Sequence, residues 1–145
     1  EKSISEYLKI MKNIYVGSSL NEKIIASEII RELTDCGYSI TYDWTTHGRL
    51  TSLDELKECC DKEINGVANC DLFFMYFPAR FGTHVELGIA LALKKKIILV
   101  VDRSNPNFAN SNFEEKTFYL SDLVRRFDDL EDAIDYAKTI FKKDQ

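Results

Sequence analysis

The stretch Asp71-Leu-Phe-Phe-Met-Tyr-Phe77 is nearly all apolar, and a strand without polar alternation has both of its faces covered. That places it at the centre of a parallel sheet with helices on either side. Asn13-Ile-Tyr-Val16 reads as a second buried strand, preceded by an amphipathic lead with Ile4, Leu8 and Met11 and stopped by Gly17-Ser18-Ser19. Ser19 with Glu22 three residues on forms a capping-box pattern, Ile25, Ile29 and Leu33 give the next helix its apolar stripe, and Gly37 ends it. Ser39-Ile-Thr-Tyr-Asp43 is the next expected strand, and Ser52 with Glu55 opens a helix running to residue 69. Beyond the central strand, Thr83 is the expected cap of a helix over 85–93, and Lys96-Ile-Ile-Leu-Val-Val101 is the fourth strand. Thr117-Phe-Tyr-Leu120 is the expected fifth strand, and Asp128 or Asp129 caps a last helix carrying Leu130, Ile134, Ala137 and Ile140.

The order βαβαβαββα, with helix-length connections, requires right-handed crossovers and a mainly parallel five-stranded sheet. This is an α/β three-layer sandwich of the flavodoxin-like or Rossmann-like kind. No repeat, low-complexity tract or linker divides the 145 residues, so a single domain over 1–145 is expected.

Composition narrows the function classes. Nineteen Lys and Arg against 24 Asp and Glu leave a formal charge of -5, the wrong sign for a protein that binds polymeric nucleic acid. Cys36, Cys59, Cys60 and Cys70 include no C-x-x-C pair and, with two histidines, match no zinc spacing, so reduced, mostly buried thiols and no metal are expected. The apolar runs are far shorter than the roughly 20 residues that span a bilayer. The first residues lack a signal pattern, and a soluble cytoplasmic protein is the expectation.

In parallel α/β sheets ligands bind beyond the carboxyl ends of the strands, where strand order reverses. Gly17, Ser18 and Ser19 open a helix there, and their backbone N–H groups suit a phosphate or carboxylate, with a plain N-cap as the alternative. Neither a G-x-G-x-x-G nor a G-x-x-x-x-G-K-[ST] pattern is present. Glu86 sits in the first turn of the expected 85–93 helix, among small and apolar residues. Near a helix N-terminus its carboxylate is expected to stay ionised, serving as a nucleophile or base, or merely complementing the dipole. Gly88 weakens that helix by about 1 kcal/mol relative to alanine, which points to close approach of something to its face.

The stretch from Glu63 to Asp71, the apolar strand after it, and Gly82-Thr-His-Val-Glu-Leu-Gly-Ile-Ala90 running on to Val100 resemble the nucleoside 2-deoxyribosyltransferase superfamily. That superfamily also holds N-glycosidases of nucleoside 5'-monophosphates. Ile14-Tyr-Val-Gly-Ser18 agrees, and the resemblance covers residues 12–102. It implies that Glu86 is a nucleophile attacking C1' of a nucleoside through a glycosyl-enzyme intermediate, with Tyr15 holding it. Glu63 stands where members usually carry an aspartate that protonates or anchors the leaving base; a solvated surface acid is the alternative. Arg80, Gly82 and Ser18 match the region that serves a 5'-phosphate in the monophosphate-hydrolysing members, although Arg80 also fits a surface ion pair. His84 is either a base contact or a structural histidine, and Asp43 and Trp44 either wall the base pocket or pack in the core. Asn110 lies in the stretch that, in this superfamily, reaches the neighbouring subunit's site, which implies a homo-oligomer.

The expected function is cleavage or exchange of the N-glycosidic bond of a nucleoside or nucleotide, with no metal or organic cofactor. The alternative is a nucleotide-sensing module of the same fold without turnover. A response-regulator-like phosphoacceptor is disfavoured, because the first strand ends in Tyr-Val-Gly without paired acids for Mg²⁺.

Overall fold

The apolar run becomes strand β3, Leu72–Phe77, and all six of its residues are buried. The computed structural model describes residues 11–141. Ile4 and Leu8 of the amphipathic lead lie outside these residues, whereas Met11 is buried and its backbone bridges Phe141. β3 pairs with β1 (Asn13–Gly17) on one side and β4 (Lys96–Val101) on the other. β2 (Ser39–Ile40) lies outside β1 and β5 (Val124–Phe127) outside β4, giving the order β2-β1-β3-β4-β5 with every neighbour parallel. Helices α1 (Lys23–Cys36) and α4 (Leu130–Ile140) pack against each other, as do α2 (Leu53–Asn69) and α3 (Phe81–Ala92). The result is the three-layer α/β sandwich that the alternation of elements requires. Strand order reverses between β1 and β3, so the crevice expected to take a ligand opens at the carboxyl ends of these two strands.

Local signals decide several boundaries. The Ser52 hydroxyl accepts from the Glu55 backbone N–H at 3.1 Å and donates to Glu55 Oε1 at 2.9 Å, closing the capping box of α2. Gly37 ends α1 with φ +128°, and a Cβ there would lie 2.7 Å from the Phe141 ring. Asp129 caps α4, its carboxylate accepting from the backbone N–H groups of Glu131 and Asp132. Asp129→Ala is expected to lower stability by about 1 kcal/mol, read as a shift of the urea midpoint at constant slope.

Four expectations need correction. The fifth strand is Val124–Phe127, not Thr117–Leu120, which forms a 3-10 turn with Tyr119 buried and Phe118 and Leu120 facing out. Two consecutive arginines disguise the true strand, as suits a sheet edge; Arg125 lies over the Tyr136 ring at 4.7 Å and Arg126 pairs with Glu115. The second strand is two residues long because the Asp43 carboxylate accepts from Thr45 N, folding the chain into the 3-10 turn Trp44–Thr46 instead of extending the ladder. No capping box forms at Ser19, since Glu22 is buried and accepts from the side-chain amides of Asn105 and Asn107. Finally, α3 begins at Phe81, with Arg80 at the N-cap position and no side-chain cap, so Thr83 lies inside the helix rather than ahead of it. All four cysteines are free; Cys59 and Cys70 are buried, Cys36 is half-buried and Cys60 exposed.

Candidate active site

β1 carries Tyr15 and Gly17 on one face, two residues apart, under the helices α2 and α3. Tyr15 is fully buried, and its hydroxyl donates to Glu86 Oε2 across 71 positions of sequence. Glu86 is itself only 6% exposed. Gly17 makes room for it, because a Cβ there would lie 3.2 Å from Glu86 Oε1 and 3.1 Å from Thr83 Cγ2. The Thr83 hydroxyl donates to the Ser18 carbonyl at 2.8 Å, pinning the start of α3 to the loop after β1.

Glu63 approaches from α2, half-buried, close enough to Glu86 to perturb its carboxyl group. Burial first, and then Glu63, raise the Glu86 pKa well above the usual carboxylate range, while the Tyr15 hydroxyl opposes them. This overturns the expectation that a helix N-terminus keeps Glu86 ionised. Glu86 sits in the second turn of α3, and burial beside a second carboxyl outweighs any dipole. Burial and the Glu86 charge also push the Tyr15 hydroxyl up, so it stays a donor.

The second oxygen system of this site is sulfur-linked. Cys59 Sγ donates to Glu63 Oε1 at 3.0 Å, and the Tyr42 hydroxyl and His47 Nε2 lie 3.7 and 3.9 Å from the same sulfur. Burial and the bond to Glu63 raise the Cys59 thiol to about 11, so it remains an S–H donor rather than a nucleophile. Sequence reasoning passed over Cys59, although its i, i+4 spacing to Glu63 on a helix was visible.

The remaining expected site residues are distributed around this centre. Ser18 is buried, its hydroxyl donating to the Ser19 carbonyl, and Gly82 lies in the first turn of α3, facing open space. Arg80 is exposed at the start of α3. Both ring nitrogens of His84 are engaged, one with the Arg80 carbonyl at 2.7 Å and one with the Tyr119 hydroxyl at 2.6 Å. Trp44 is buried and its indole N–H donates to the Val16 carbonyl at 2.7 Å, while Asp43 is tied to its own turn. Asn110 is exposed in the 3-10 turn Phe108–Asn110. A groove of about 400 Å³ between β2 and α2, lined by Thr41, Tyr42, Lys62 and Asn65 among others, does not include Glu86. Among the described residues, no group of three or more His, Cys, Asp and Glu side chains is placed to hold a metal ion, and no helix is long and apolar enough to cross a membrane.

The glycine that close packing demands is Gly66 rather than Gly88. A Cβ at Gly66 would lie 3.0 Å from the Tyr15 ring and 3.0 Å from Tyr42 Cβ, whereas one at Gly88 would meet nothing within 4 Å. Gly66→Ala therefore presses directly on the side chain that holds Glu86. It is expected to lower turnover about tenfold or more while leaving the melting temperature nearly unchanged, because alanine's helix preference of about 1 kcal/mol offsets the crowding. Paired kinetic and thermal measurements check this.

No protein-family model and no curated protein matches the sequence. Solved structures do match. One is BcmB, a CMP N-glycosidase of Clostridium botulinum, with a TM-score of 0.55 and 19% identity over 86% of this chain and 97% of that one. Another is BlsM, with a TM-score of 0.58 and 16% identity over 90% of each chain. The chain shares the fold of a CMP N-glycosidase.

Proposed function

We propose that this protein cleaves the N-glycosidic bond of a nucleoside or nucleoside 5'-monophosphate, with Glu86 as nucleophile. The observation that carries this reading is the buried Glu86 carboxyl, held by the Tyr15 hydroxyl and faced by Glu63, at the carboxyl ends of β1 and β3. The fold shared with a CMP N-glycosidase and the resemblance of the Gly82–Val100 stretch to the nucleoside 2-deoxyribosyltransferase superfamily support it.

The two acids divide the work. Tyr15 orients the Glu86 carboxyl, whose proton passes to Glu63 ahead of attack. As the C1'–N bond breaks, its electron pair leaves with the base, Glu63 delivers the proton to that base, and a Glu86 oxygen bonds to C1'. Water, or a second free base, then attacks C1' and releases Glu86. Cys59 holds Glu63 in place by donating to the oxygen Oε1. A 5'-phosphate would lie against Ser18, Gly17 and the exposed Arg80, with Gly82 leaving space beside them. His84 and Trp44 support the walls of the site, and Asn110 is free to reach a neighbouring subunit.

The test incubates the protein with deoxynucleosides, ribonucleosides and their 5'-monophosphates, with and without a second free base, and follows products by chromatography. Base release identifies a hydrolase and base exchange a transferase. Binding of one nucleotide with every substrate intact would replace this reading with that of a nucleotide-sensing module.

A further inference from the structure

The groove between β2 and α2 does not reach Glu86, yet two residues that line it, Tyr42 and Gly66, also touch the groups around that carboxyl. A Cβ at Gly66 would lie 3.0 Å from the ring of Tyr15, which holds Glu86. The Tyr42 hydroxyl lies 3.7 Å from Cys59 Sγ, which donates to Glu63. The groove is therefore one side chain away from the support of each acid. Its form is set before anything binds, because the Thr41 hydroxyl donates to the Gly66 carbonyl at 2.7 Å and ties β2 to α2.

The chemistry of the lining selects a ligand. Asn13 on β1 and Asn65 and Asn69 on α2 all border the space. Asn69 donates its side-chain N–H to the Asn65 carbonyl at 2.8 Å, but among the described residues the side-chain amides of Asn13 and Asn65 make no hydrogen bond. Each offers an acceptor beside a donor, the pattern that matches the edge of a nucleobase. Tyr42 adds an aromatic wall for a planar ring. Lys62 stands at the rim, paired with the exposed Glu58 one turn earlier at 3.0 Å. A surface pair of that kind is worth under about 1 kcal/mol and gives way to a phosphate. The volume of about 400 Å³ is that of a small-molecule site.

We propose that this groove is a second nucleotide site, taking a nucleoside monophosphate with its base on the Asn13 and Asn65 amides beside Tyr42 and its phosphate on Lys62. Its occupancy acts on Glu63 through Tyr42 and Cys59: a ligand that displaces Tyr42 disturbs the sulfur beside it, and the Cys59 hold on Glu63 weakens. Binding in the groove is independent of the chemistry proposed above, whereas the effect on Glu63 rests on it.

Nuclear magnetic resonance titration of the full chain tests the proposal, carried out with Glu86→Gln so that no substrate is consumed. The probes are nucleoside 5'-monophosphates of each common base, the matching nucleosides and inorganic phosphate. One monophosphate is expected to shift the backbone amides of Thr41, Tyr42, Asn65 and Gly66, with a saturation curve separate from any at Gly17 and Ser18. Asn65→Leu is expected to weaken the groove curve at least about fivefold; the position is exposed on a helix and leucine is the better helix former, so the fold is kept. Lys62→Ala should weaken binding of the monophosphate and leave that of the nucleoside unchanged. With Glu86 in place, turnover should fall as the nucleotide fills the groove, and Asn65→Leu should abolish that fall. Shifts confined to Gly17 and Ser18 with every probe overturn the site, as do groove shifts indifferent to Asn65→Leu or reproduced by inorganic phosphate alone. A groove that fills without slowing turnover overturns the link to Glu63. Groove shifts in a protein that cleaves nothing would keep the site and overturn the glycosidase reading instead.

Discussion

Glu86→Gln is expected to remove N-glycosidic cleavage almost completely while making the protein more resistant to heat. The amide keeps the shape and still accepts from Tyr15, but it cannot bond covalently to C1', so kcat/KM should fall at least about 1000-fold, about 4 kcal/mol of transition-state stabilisation. The stability effect follows from burial. A carboxyl whose folded pKa lies above its unfolded value keeps its proton in the native state while the unfolded chain gives it up. Stability is therefore fully present below the ordinary glutamate pKa of about 4.3 and declines as pH rises toward the raised folded value. The substitution removes that decline. The variant's melting temperature should exceed the parent's at pH 8 and converge with it near pH 4, which calorimetric scans at the two pH values would show. A variant that lost activity and stability together at every pH would instead mark Glu86 as a packing residue.

Phe74→Ala should have the largest purely structural effect. Phe74 is fully buried in the middle of β3, paired with Val16 on one side and Ile98 on the other. Truncating a buried phenylalanine costs about 3–5 kcal/mol, a large share of the 5–15 kcal/mol that holds a domain of this size. The expected melting temperature falls by about 10–15 °C. Because the proposed catalytic groups come from Tyr15 on the neighbouring strand and from two helices, the fraction that remains folded at low temperature should keep the pH profile of the parent. Denaturant melts read together with activity per folded molecule separate the two contributions.

These two residues show what a sequence can reveal. Phe74 was legible because a run of apolar residues without alternation has one structural meaning, and Ser52, Gly37 and Asp129 were legible because each acts within a few residues of itself. Glu22 was misread for the opposite reason. Its partners, Asn105 and Asn107, are 83 and 85 positions away, and no local pattern announces them. The edge strand Val124–Phe127 was hidden by Arg125 and Arg126, whose charges are a property of edges rather than of strands. At the candidate site, Tyr15, Glu63 and Glu86 were named together through the family resemblance; the Tyr15 hydroxyl donates to Glu86, and Glu63 lies close enough to push the Glu86 pKa up. What spacing could not supply was the electrostatics: a helix N-terminus favours an acid's anion, whereas burial and a second carboxyl push its pKa up.

Met11 bridges Phe141, so both ends of the described chain meet beside the amino ends of the strands, opposite the crevice that holds Glu86. For the experimenter this is a practical freedom. A circular permutant that joins residue 141 to residue 11 through a short linker and reopens the chain in an exposed loop keeps its new junction away from Tyr15 and Glu86.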